Sequence, residues 1–188
     1  MSGGLPDREQ ALALLNEWVA NVNLRRHCHA VEAAMRAYAP RYGENPERWA
    51  LTGLIHDFDW ERHPDRERHP AAGVAVLREH GWPEDICRAV LGHASYTGVP
   101  RDTVMARALF ACDELSGFLV ACALMTPNKR LDEVEVPSVR KKMKRVDFAR
   151  NVNRDDIVNG AAELGVDLDE HIAFVRDAMR GIHADLGL

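Results

Sequence analysis

The sequence predicts an all-α chain, on three observations. Apolar residues recur at helical spacing in one segment after another. Residues that cap helices precede most of those segments. No stretch alternates at period two for long, and the one strand-like fragment, Val134-Glu135-Val136, is too short to matter.

The elements follow in order. Asp7 caps a first helix whose stripe is Leu12, Leu15, Val19 and Val22. A second starts after Asn23 and runs to about Tyr38, with Pro40 and Gly43 ending it. Asn45-Pro46-Glu47 is a cap with proline in the first turn, leading a third helix toward Ile55. His56 to Arg68 has little period and much charge and reads as a loop. His69-Pro70 opens a fourth helix, closed by His80-Gly81, and Pro83 opens a fifth that ends near His93. Asp102 or Thr103 caps a long sixth helix, through about Leu124. Ser138 to Lys144 is a short basic helix, and two more cover Arg154 to Leu164 and Leu168 to Leu186. No linker is long enough to divide the chain, so one domain over residues 1–188 is expected. Its weakest connection is Thr126 to Pro137, and the helices from 138 to 186 are expected as a small cap on the main bundle.

The bulk numbers narrow the function. A chain of 188 residues with 46% hydrophobic and 28% charged residues is an ordinary globular balance with a sizeable core. A net charge of −5 without a long basic block argues against a protein that coats nucleic acid. No apolar run reaches the ~18 residues of a membrane span. The start, MSGGLPDREQ, is unlike a signal peptide, so a cytoplasmic location is expected. Cys28, Cys87, Cys112 and Cys122 form no CxxC pair and read as buried, reduced thiols.

Helical phase then sorts the nine histidines. His27 shares a face with Leu24, Val31, Ala34 and Tyr38 and points inward, whereas His29 falls among Arg25, Arg26, Glu32 and Arg36 and is expected to face water. His56-Asp57 ends an apolar helix, where a carboxylate is costly unless paired or bound to metal. Asp113 lies on an apolar face with Leu109, Phe110, Gly117 and Val120. His93 sits beneath Ile86, Ala89 and Val90, and His69 opens its helix on a face with Ala72, Gly73 and Val76. Singly, each is more often a satisfied core residue. Together, a divalent metal compensates all of them at once. His63, His80, His171 and His183 have no such context and read as structural or surface residues.

This order of residues resembles the HD-domain superfamily of metal-dependent phosphohydrolases. LRRHCHAVEAAMRAYA resembles its first helix, LTGLIHDFDW the helix that ends in the HD pair, and ALFACDELSGFLVA the closing helix with the last aspartate. HPAAGVAVL and AVLGHAS resemble segments of the HD-GYP branch, although this chain has His93-Ala94 where that branch has two adjacent histidines and lacks the GYP triplet. The resemblance covers about Leu24 to Leu124. It implies an HD-like helical bundle with additional C-terminal helices. It also implies a metal core of His27, His56, Asp57 and Asp113, with His56 and Asp57 at the catalytic centre. In a two-metal version His69 and His93 join, with Asp57 as the bridge. Mn, Fe, Co, Ni, Zn and Mg all suit such ligands.

The implied substrate is a small phosphate ester, nucleotides included, cleaved by a metal-activated water. Arg62, Arg66, Arg68 and Lys129-Arg130 are candidate phosphate cations, set against ordinary solvated charges. The basic run Lys141 to Arg145 touches a substrate, a nucleic acid or only water, and water is the favoured reading. Trp60 either stacks on a base, walls the pocket or packs in the core. Two other readings stay open on the same scaffold, a di-iron oxygenase and a non-catalytic metal-binding regulatory module. Nothing decides the oligomeric state, and a homodimer fits as well as a monomer.

Overall fold

The computed structural model describes residues 5–188, so the start of the N-terminal segment, Met1 to Gly4, lies outside the described residues. Ten α-helices and three short 3-10 turns make up the regular structure among them. Helix α1 (Arg8–Trp18) opens on a capping box between Asp7 and Gln10. It stops earlier than its apolar stripe implied. Ala11, Leu14, Leu15 and Val19 are buried, but Val22 is 53% exposed and belongs to the next helix. Asn21 explains the break, because its side chain accepts from the N–H groups of Asn23 and Leu24 and restarts the chain as α2 (Val22–Tyr38).

Helix α3 (Pro46–Ile55) is buried from Trp49 to Ile55 and lies along α2. Gly53 allows the close approach, since a Cβ there would stand 2.8 Å from the Val31 carbonyl oxygen. No regular helix forms from His56 to Pro70. Helices α4 (Ala71–Glu79) and α5 (Glu84–His93) follow, and then α6 (Val104–Leu124), capped by Thr103. Helix α6 is buried nearly all round because α2, α5, α8 and α9 all pack against it.

Residues 131–133 form a 3-10 turn and Val136 begins α7 (Val136–Met143), so the strand-like fragment adopts no strand. The connection expected to be weakest is pinned by Leu131 and Val134, both buried. Helix α8 (Arg154–Leu164) crosses α6 so closely that a Cβ on Gly160 would meet Ala111 Cα at 2.6 Å. The last predicted helix divides at Gly181 into α9 (Leu168–Arg180) and α10 (His183–Leu186). No described helix is long and apolar enough to cross a membrane. The four cysteines are buried free thiols.

Candidate metal centre

Five separate elements each deliver a ligand-type side chain to one interior region. Helix α2 brings His27, and α6 brings Asp113 from its middle. His56 caps the end of α3 in helical conformation, so Asp57 follows directly into the same space. His69 stands just before α4, and His93 is the last residue of α5.

The six side chains form two triads, His27–His56–Asp113 and Asp57–His69–His93. In the first, His27 Nε2 lies 2.9 Å from Asp113 Oδ1 and 3.2 Å from His56 Nε2. In the second, His69 Nε2 and His93 Nε2 are 3.3 Å apart. Asp57 joins the two. Its Oδ1 is 3.4 Å from His69 Nε2 and 3.3 Å from His93 Nε2, while its Oδ2 is 3.8 Å and 3.7 Å from the Nε2 atoms of His27 and His56.

The outer ring nitrogens show which atoms are free. His56 Nδ1 donates to the Gly53 carbonyl at 2.7 Å and His93 Nδ1 to the Val90 carbonyl at 2.5 Å. His69 Nδ1 donates to Asp59 Oδ1 at 2.8 Å. Each partner can only accept, so each Nδ1 carries a proton and each neutral ring turns a bare Nε2 lone pair inward. The lone pairs of His69 and His93, facing one another at 3.3 Å, repel unless a proton or a cation lies between them. Among the described residues no Arg or Lys pairs with Asp57 or Asp113. The donor set therefore fits one or two divalent cations.

Electrostatics point the same way. Burial alone would lower the pKa of His56, but Asp57 and Asp113 override it and push it up to about 9. Burial would raise both aspartates, and the neighbouring imidazoles, His56 foremost, hold them well below the ordinary carboxylate range instead. The site prefers net positive charge between its ligands, as a proton or as a metal.

Two acidic residues escaped the sequence reading. Asp59 is fully buried, binds His69 through one oxygen and accepts the Gly73 N–H at 2.9 Å through the other. A Cβ on Gly73 would stand 2.6 Å from Asp59 Cγ, so the glycine in HPAAG makes room for the carboxylate that orients His69. Periodicity could not show this, because Asp59 lies in the segment without a helix. Glu114 follows Asp113 on α6 and is partly buried. Burial and Asp113 push its pKa up to about 8.

The expected phosphate cations separate. Arg62 is engaged elsewhere, with its guanidinium 4.0 Å over the Trp18 ring and a hydrogen bond to the Glu17 carbonyl at 2.7 Å. Arg68 pairs with Asp65 at 2.6 Å and Arg130 with Asp132 at 2.6 Å. Lys129 sits exposed in the turn after α6, with no contact to either triad among the described residues. Arg66 lies 5.3 Å over the Tyr96 ring, and the Tyr96 hydroxyl donates to the His69 carbonyl at 3.2 Å. Trp60 is not in the core, being 38% exposed with its ring 4.8 Å from that of His69.

His29 does not face open water, contrary to its helical phase. It is half-buried and its Nδ1 donates at 3.1 Å to Glu32, which is only 6% exposed. Both lie on the far side of α2, at an open cavity of about 370 Å³ that Ala178 and Ile182 also line. Helices α9 and α10 cover this charged face, which the local pattern could not anticipate. His171 is buried between the Tyr38 hydroxyl at 2.6 Å and the Ala111 carbonyl at 2.9 Å, a structural role as expected.

A comparison with protein-family models matches the HD domain over residues 24–117. No solved structure matches the chain. The matched span takes in α2 through most of α6, the elements that carry all six metal-type side chains, and the chain belongs to the HD-domain family.

Proposed function

We propose that this chain is a metal-dependent phosphohydrolase acting on a nucleotide or another small phosphate ester, with a two-ion centre. One observation carries the two-ion reading: the carboxylate of Asp57 offers one oxygen to each triad. His27, His56 and Asp113 would hold one divalent ion, His69 and His93 the other, with Asp57 shared. Bound there, the metal lowers the pKa of a water and neutralises phosphate oxygens.

The chain's own groups supply the rest. Hydrogen bonds from Nδ1 lock His56, His69 and His93 with Nε2 inward, and Asp59 adds basicity to His69. Arg66, over the Tyr96 ring and with no carboxylate partner among the described residues, would draw a phosphate to the side of the second triad. A small-molecule phosphate partner and a cytoplasmic setting, where the four thiols stay reduced, belong to the same reading.

The test is elemental analysis of the purified protein, joined to turnover of nucleotides and aryl phosphates with Mn²⁺, Co²⁺, Ni²⁺ or Mg²⁺ added. Two equivalents of metal and metal-dependent phosphate release are expected. Two irons with turnover that requires O₂ and releases no phosphate would overturn the hydrolase reading. A protein with no bound or activating metal would overturn the metal centre.

A further inference from the structure

We propose that Trp60 and Tyr96 form an aromatic subsite for the flat ring of the substrate, so that esters of nucleosides and other aromatic groups are preferred over aliphatic phosphates. The proposal rests on the hydrolase reading above and gives it a substrate class.

Of the twelve Trp, Tyr and Phe rings, six are buried, among them Trp49, Trp82, Phe58 and Phe118, and four are partly buried. Trp60 and Tyr96 are 38% and 41% exposed. Leaving a large ring partly in water forgoes part of the stabilisation that its burial would bring. Both exceptions occur at one place, and both are tied to His69. The Trp60 ring meets the imidazole at 4.8 Å with an interplanar angle of 82°, so at least one face of the indole is free of it. Tyr96 is anchored through its hydroxyl to the His69 carbonyl, which holds its ring at a fixed distance from the same residue. Arg66 lies over the Tyr96 ring, adding a planar cation that both stacks and binds phosphate. The two rings reach His69 from different parts of the chain, Trp60 at its imidazole from the segment after α3 and Tyr96 at its backbone carbonyl from the turn after α5. A phosphate held at the triads would therefore place its ester group within reach of both rings, and stacking is the interaction they can offer it.

The experiment uses the metal-loaded full chain and compares kcat/KM for adenosine 5′-monophosphate with that for glycerol 3-phosphate. Trp60→Ala is expected to cut this ratio about tenfold. Trp60→Phe and Tyr96→Phe, which keep a ring, are expected to retain most of it. A second readout needs no turnover. Adenosine, which has no phosphate, is expected to quench the intrinsic fluorescence of the wild type and to lose that effect in Trp60→Phe, which isolates Trp60 from the other three tryptophans. Quenching without hydrolysis of any ester would sustain the subsite and sink the hydrolase reading. Hydrolysis with an unchanged ratio in Trp60→Ala and no quenching would do the reverse. Equal losses on both esters, again without quenching, would mean that Trp60 only packs against His69, and would overturn the proposal.

Discussion

Helix α2 has buried charge on two opposite sides, and each side is neutralised in its own way. On the outer side Glu32 receives Arg8 at 2.6 Å and 3.0 Å, His29 at 3.1 Å and Arg36 at 3.4 Å. Its charge is answered entirely by side chains of the protein. On the inner side Asp57 and Asp113 face only imidazoles, with no arginine or lysine paired to either among the described residues. The outer network is complete as it stands. The inner one is short of positive charge and has the lone pairs of His69 and His93 directed at one another, which is the condition of a site built for a cation.

The contrast is open to direct attack. The largest effect is expected from Asp57→Ala, which removes the one carboxylate common to both triads. Bound metal should fall at both positions, and hydrolysis should fall by about 10³-fold or more, as read by elemental analysis and phosphate release. Full metal occupancy in this variant would break the comparison at its centre. Glu32→Gln should do the opposite. It strands Arg8 and His29 and should cost about 2–3 kcal/mol in a denaturant titration while metal content stays at the wild-type level.

Asp59→Asn probes one triad alone. The amide can turn its NH₂ toward His69 and spoil the inward lone pair, so metal affinity on the His69 side should weaken about 10- to 100-fold in a chelator competition, with the His27 side unaffected. Equal weakening at both positions would argue against two separable ions.

The two sides should also titrate in opposite directions. Burial tends to raise the pKa of Glu32, but His29 and Arg8 outweigh it and lower the value to about 2. Its contribution to stability is therefore full above about pH 4.5 and is lost as the pH falls toward about 2. His56 in the metal-free protein is raised to about 9, so its contribution is full below about 6.5 and is lost as the pH rises through about 9. Over that upper range a metal displaces the proton more easily, and apparent metal affinity should rise with pH. Denaturation curves with and without metal, from acid to alkaline pH, measure both limbs. The smallest effect is expected from Arg62→Ala. Its guanidinium lies on Trp18, so turnover should not change measurably, whereas Arg66→Ala should raise KM.

Much of this was legible in the sequence, and what was not has identifiable causes. Helical phase separated His27 from His29, because two positions on a helix are turned by about 200° and only one of them lay among apolar residues. It assigned the wrong environment to Glu32 and His29, because phase reports which face a residue occupies and not whether a distant helix covers that face. Asp59 gave no signal of its own. Only the Gly73 N–H, brought up by a later helix, shows why a carboxylate is buried there.

The sequence by itself determined the helical class, most helix ends and the inward phase of His27 and Asp113. These depend on neighbours within a few residues, through caps, proline positions and apolar spacing. Only the tertiary structure decided that six side chains from five elements form two triads around Asp57, that Asp59 backs His69, and that Trp60 and Tyr96 stand exposed beside it. Those relations depend on how helices cross, and close crossings such as those at Gly53 and Gly160 are set by backbone approach between residues far apart in the chain.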